Sequence, residues 1–137
     1  MVRNREYSDI PGCAMEASLK IIGGKWKGVV LFHLLDGPMR FNELGRKTLG
    51  VTPRLLVKQL RELEEDGLVE RTVYPVVPPK VEYALTEEAQ TLAPLLRALD
   101  QWGAGWLDRR GITPLNQLTD AERDELREVE ATAAAAR

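Results

Sequence analysis

The side chains best placed to do chemistry in this sequence are Arg54, Lys58 and Arg61. At about 100° per residue of an α-helix, they share one narrow arc. Leu56, Leu60 and Leu63 share another, turned well away from the first. A helix with a cationic stripe opposite a leucine stripe packs on one side and offers the other to anions. Double-stranded DNA is the polyanion that suits it, because the major groove admits an α-helix and displays both phosphates and base edges. Arg54 falls in the first turn, where such helices reach bases, and an arginine pairs bidentately with guanine. Lys58 and Arg61 suit the phosphate backbone. For an isolated helix, a merely solvated basic face is the plain alternative, so the flanking elements decide.

Those elements are well marked. Thr52 is a good N-cap, Pro53 fits the first helical turn, and Gly67 follows as a left-handed stop. Upstream, Cys13 to Ile22 suits a short helix stopped by Gly23-Gly24. A second helix opens at Lys25-Trp26-Lys27 and ends near Leu35, before Asp36-Gly37-Pro38. A third runs from Phe41 to about Leu49, ended by Gly50. Downstream, Leu68–Tyr74 is β-branched and extended, Pro75–Pro79 reads as a stiff turn, and Lys80–Leu85 alternates as a returning strand. Thr86 caps a further helix, with Glu87 and Glu88 at the positive end of its dipole. Pro94 lies inside that helix and is expected to bend it. After Gly111 the composition shifts, and Thr119-Asp120-Ala121-Glu122 is a capping box opening a last, charged helix. That helix is expected to fray over residues 131–136.

Three helices, a tight turn, a two-faced helix and a hairpin predict a mainly α fold with a small β-hairpin wing, a winged helix-turn-helix. Residues 1–12 read as a flexible arm, 13–110 as the winged helix-turn-helix domain with its dimerisation helix, and 111–137 as a helical extension. Arg71 and Lys80 flank the hairpin, and Arg40, Arg46 and Lys47 lie near the third helix. All five are candidates for phosphate contact, which adds affinity and salt dependence rather than sequence choice. The stripe Leu92, Leu95, Leu96, Leu99, Trp102 and Trp106 is long for a helix packed on one small domain. Its apolar excess implies a partner, most simply the same helix of a second copy.

Charge supports the same reading once it is divided along the chain. The net charge is −2. Through Arg61, eleven basic residues face five acidic ones, whereas from Glu62 onward eight basic face sixteen acidic, so the halves carry +6 and −8. A basic working surface in the first half follows. A single cysteine, Cys13, and a single histidine, His33, leave no internal disulfide, no thiolate or imidazole metal set and no nucleophile–base pair. No enzyme and no cofactor are expected, and His33 reads as a core or interface residue. The apolar runs fall short of a membrane span and the first residues lack a secretory apolar stretch, so a cytoplasmic protein is expected. The competing function is a winged-helix protein–protein interaction module, separable because phosphate binding falls steeply with ionic strength.

Four segments resemble the HxlR family of bacterial regulators. They are Ile21-Ile22-Gly23-Gly24-Lys25-Trp26, Gly37-Pro38-Met39-Arg40-Phe41-Asn42-Glu43-Leu44, Leu60–Val69 and Tyr74–Tyr83, and the likeness extends from about Cys13 to Trp106. The resemblance implies a homodimeric winged helix, joined through its N-terminal and C-terminal helices, that controls nearby genes from a pseudo-palindromic operator. It also implies a redox-sensing role for Cys13, since members resembling this one use a cysteine ahead of the first helix to detect oxidants or electrophiles. Pro11-Gly12-Cys13 places the thiol at a helix N-terminus, where the dipole favours anionic groups. The other reading of Cys13 is an inert thiol packed beside the dimer interface. The operator, the effector and the sign of regulation are not legible in the sequence.

Overall fold

The computed structural model describes residues 10–137, so most of the arm expected over residues 1–12 lies outside the described residues. Two compact units divide the chain, one extending to Leu99 and the other from Asp100 to Arg137.

In the first unit, α1 (Ala14–Ile22), α2 (Lys27–Leu34) and α3 (Phe41–Lys47) precede α4 (Pro53–Glu65). Residues Met39–Arg40 form a short strand, β1, that the sequence pattern did not announce. It joins β2 (Val69–Tyr74) and β3 (Lys80–Leu85) in an antiparallel sheet of order β1-β3-β2. Two residues are too few for alternation to register, and only pairing with β3, Met39 against Tyr83 and Arg40 against Glu82, makes them a strand. The hairpin register sets Tyr74 against Lys80 and Thr72 against Glu82.

The core forms where α2, α4 and the sheet converge. Val30, Leu31 and Leu34 of α2 meet Leu44 of α3 and Leu56, Leu60 and Leu63 of α4, with Met39, Leu68, Val69 and Leu85 closing one side. Each large side chain removed from water in this way contributes about 1.5–3 kcal/mol.

Both ends of α4 are chemically specified. The Thr52 hydroxyl accepts the Leu55 N–H at 3.2 Å, which satisfies one of the orphan donors of the first turn. At the other end Gly67 has φ +76°, a conformation that side-chain-bearing residues resist. It lets the Gly67 N–H reach Glu64 O at 3.0 Å and the Leu68 N–H reach Leu63 O at 2.9 Å. Leu63 and Leu68 are both buried beneath this turn, the apolar pair that often accompanies a Schellman arrangement. An ion pair, Lys27 Nζ to Glu62 Oε2 at 2.8 Å, ties α2 to α4.

Past the sheet, the helix opened by Thr86 does not run on through Pro94. It ends as α5 (Glu87–Gln90), and α6 (Ala93–Asp108) starts afresh with Pro94 in its first turn. A proline ring inside a helix clashes with the carbonyl four residues earlier and removes a donor, whereas in a first turn that donor has no helical partner anyway. The expected bend is therefore a break. Leu96 is buried and Leu92 packs against the core.

The second unit holds the remainder of α6, one turn of 3-10 helix at Leu115–Gln117, and α7 (Asp120–Ala135). The capping box is present, with Thr119 and Glu122 exchanging hydrogen bonds. Arg123 donates to Leu115 O at 2.8 Å and pairs with Asp120. The helix continues to Ala135 instead of fraying from residue 131, because alanine has the highest helix propensity of any residue.

On the wing, period two places Lys80 and Glu82 on one face of β3. Lys80 Nζ lies 2.8 Å from Glu82 Oε1 and 4.9 Å from the centre of the Tyr74 ring, and Tyr74 donates its hydroxyl to Glu82 Oε2 at 3.2 Å. The Lys80 hydrogen bond and charge, then Tyr74 and the Arg40 charge, hold the Glu82 carboxyl below the ordinary glutamate value. A depressed carboxyl supports the folded wing above its unfolded value, and that support is lost as pH falls through the lowered one. Carbon-detected NMR titration is expected to find Glu82 protonating below the ordinary glutamate value. Lys80→Met is expected to move its midpoint upward; an unchanged midpoint would show that Lys80 does not hold it.

Candidate nucleic-acid interface

The turn over residues 48–52 sets the angle at which α4 leaves α3. Thr48, buried, donates its hydroxyl to Leu44 O at 2.8 Å, which keeps a polar side chain in the core satisfied. Gly50, at φ +94°, makes the reversal. With Leu56, Leu60 and Leu63 committed to the core, the opposite side of α4 must face outward. Arg54, Lys58 and Arg61 line one open groove along it, together with Thr52, Leu55, Val57, Glu62 and Glu65. Pro53 is exposed at the first helical position beside Arg54.

Several members of this groove escaped the sequence reading. Starting from Arg54, the spacings i+3, i+4 and i+7 give Val57, Lys58 and Arg61, so helical periodicity was the signal for Val57. Glu65, four residues beyond Arg61, closes the stripe with an acidic group. Glu62 was hidden because its role is to receive Lys27 from α2, a pairing across thirty-five positions that only the fold creates.

The other predicted cations fall into two kinds. Arg46 and Lys47 are exposed in the last turn of α3, where they also complement the negative end of that helix. Arg71 is exposed on β2, paired in register with Tyr83. Arg40 and Lys80, in contrast, converge on Glu82: Lys80 by the ion pair already described, Arg40 as the cross-strand partner on β1. The wing tip itself bears no charge from Pro75 to Pro79, and Val77 is fully exposed there.

Cys13 is exposed and occupies the N-cap of α1 without making a side-chain cap hydrogen bond. The N–H of Gly12 is instead donated to Glu16 Oε2 at 2.6 Å, so the positive end of α1 already carries a carboxylate. His33 makes an edge-to-face contact with Phe32 at 5.5 Å between ring centres.

The apolar stripe of α6 is not a single surface. Leu96 is 3% exposed and Leu92 leans on the core, so these two, expected at a dimer interface, are already used within the chain. Leu95, Leu99, Trp102 and Trp106 remain 44%, 51%, 66% and 36% exposed. Their spacing of four, three and four residues puts them along one line of the helix. Among the described residues, no cluster of His, Cys, Asp and Glu is placed to hold a metal ion. No helix among them is long and apolar enough to cross a membrane.

Comparison with known proteins agrees with this geometry. The family model described as HxlR-like helix-turn-helix matches residues 21–111. The HTH-type transcriptional regulator YdeP of Bacillus subtilis strain 168 is 51% identical over 114 residues, covering 79% of this chain and 89% of the relative. Among solved structures, the redox regulator HypR in its oxidized form is 52% identical with a TM-score of 0.66, over 68% of this chain and 96% of that one. The diamide-treated form of YodB from B. subtilis is 31% identical with a TM-score of 0.57, over 74% and 97%. The matched span holds α2, α3, the turn, α4 and the wing in this order, and the chain belongs to the HxlR-like helix-turn-helix family of transcriptional regulators.

Proposed function

We propose that the protein acts in the cytoplasm as a homodimer that reads a pseudo-palindromic operator in double-stranded DNA through α4, without enzymatic activity. The observation that carries this reading is the groove on α4, where three cations stand outward on a helix whose opposite side is fully committed to the core. In the proposed complex Arg54 contacts a base, and Thr52, Pro53, Lys58 and Arg61 approach the adjoining backbone. Arg46, Lys47 and Arg71 add phosphate contacts. Lys80 adds less, because it leaves Glu82 to do so, and Arg40 adds less because it stands opposite the Glu82 charge across the sheet. Leu95, Leu99, Trp102 and Trp106 supply the subunit contact. Two copies then present their α4 helices to major grooves about 34 Å apart.

Fluorescence anisotropy against the upstream region of its own gene tests the division of labour. Arg54→Ala is expected to lose about 10–100-fold in affinity for the specific duplex, the range of one bidentate base contact, with little change on random sequence. Arg71→Ala is expected to weaken both alike and to lower the salt slope by about one. Equal losses on both duplexes for Arg54→Ala would remove it from base reading. Binding that is indifferent to salt would favour a protein-interaction module instead.

The subunit contact has its own test. Trp102→Glu places a charge in the middle of the exposed stripe, and sedimentation equilibrium is expected to show monomers where the unaltered chain gives dimers. A variant that remains dimeric would exclude this line of α6 as the interface.

A second reading, redox sensing through Cys13, is favoured by the exposure of that thiol at the start of α1 and by the chain's likeness to HypR, described as a redox regulator. Diamide is expected to weaken operator binding by the unaltered protein and to leave Cys13→Ser unaffected. An identical response in both would exclude the thiol.

A further inference from the structure

The outward line of α4 carries one apolar residue among its cations. Arg54, Val57, Lys58 and Arg61 stand at i, i+3, i+4 and i+7, and all four line the same groove. Val57 is half-buried, yet it belongs neither to the buried core nor to the partly buried residues packed against it. Helix propensity does not account for it either, since valine is a poorer helix former than the lysine, arginine, glutamine and leucine around it. An apolar, β-branched side chain set among three cations needs an apolar surface at the centre of an otherwise polar contact.

The major groove offers one such surface. Beside hydrogen-bond donors and acceptors, the base edges there present one projecting alkyl group, the C5-methyl of thymine. Valine is suited to it, because branching at Cβ leaves one strongly preferred χ1 rotamer in a helix and so presents its methyl groups at little entropic cost. Three residues advance a helix by about 4.5 Å, comparable with the roughly 3.4 Å between base pairs. A contact made by Val57 therefore falls within one or two base pairs of the contact made by Arg54.

We propose that Val57 is a specificity-determining residue that reads a thymine methyl group in each half-site. The assignment rests on the DNA-binding function proposed above and adds to it the identity of one base. Arg54 chooses by hydrogen bonds, Val57 by shape and by exclusion of water from a methyl group.

Deoxyuridine tests this directly, since it differs from thymidine only in lacking the C5-methyl. Duplexes are selected from a random pool by the full-length protein, and each thymine of the best sequence is replaced singly by deoxyuridine. One thymine per half-site is expected to lose about fourfold in affinity, the worth of one methyl group removed from water. In Val57→Ala the same replacement is expected to have no effect, while the circular dichroism spectrum stays that of the unaltered protein. Val57→Ile is expected to keep the discrimination. Tolerance of deoxyuridine at every position, a selected site with no fixed thymine, or a penalty that persists in Val57→Ala would each overturn the role of Val57 while leaving DNA binding intact. A pool that yields no enriched duplex would refute DNA binding itself, and this proposal with it.

Discussion

The burial of three leucines on one side of α4 is the constraint on which the rest of the molecule depends. Leu56, Leu60 and Leu63 are almost wholly removed from solvent against α2 and the start of β2. Rotating the helix to spare any cation from water would expose them, at about 1.5–3 kcal/mol per side chain. The helix is therefore held about its axis by its own core face. The hydroxyl cap at Thr52 and the left-handed Gly67 fix where it starts and stops, and the Lys27–Glu62 ion pair ties its flank to α2. What stands on the opposite side, Arg54, Val57, Lys58 and Arg61, stands there because the leucines do not.

The wing shows how the same chain limits its own charge. Glu82 sits on the central strand, so it meets neighbours on both sides: Arg40 across β1, and Lys80 and Tyr74 along the hairpin. A cation neutralised within the protein releases fewer counterions when it meets a phosphate. Outward-facing cations are thereby concentrated on one stripe of α4, among Arg54, Lys58 and Arg61, and at the end of α3. The charge difference between the two halves of the sequence points in the same direction, and the overall charge of −2 is no measure of the working surface.

Beyond Leu99 a different economy of surface begins. Leu96 completes the core of the first unit, while Leu99 of that unit and Trp102 and Trp106 of the second keep part of their side chains exposed. Arg110 lies 3.8 Å over the Trp106 ring and donates to its carbonyl, so part of that indole is covered by a guanidinium. The family model ends at residue 111, and the capped, acidic α7 lies beyond it.

Much of this was legible in the sequence, because the features concerned are local. Thr52, Pro53 and Gly67 bound α4 through backbone chemistry that acts within a few residues, and the leucine and cation arcs follow from helical period alone. The hairpin, its proline-rich tip and the Thr119 capping box are equally local. Tertiary structure alone decided the rest, since it depends on partners distant along the chain. Met39–Arg40 is a strand only because β3 lies beside it, and Glu62 and Glu82 matter only because the fold carries Lys27 and Arg40 to them. Leu92 and Leu96 look like Leu95 and Leu99 in a linear pattern. Which of two adjacent helical lines is spent on the core, and which is left exposed, is settled by how α6 lies against the first unit's core, and hydrophobicity by itself has no direction.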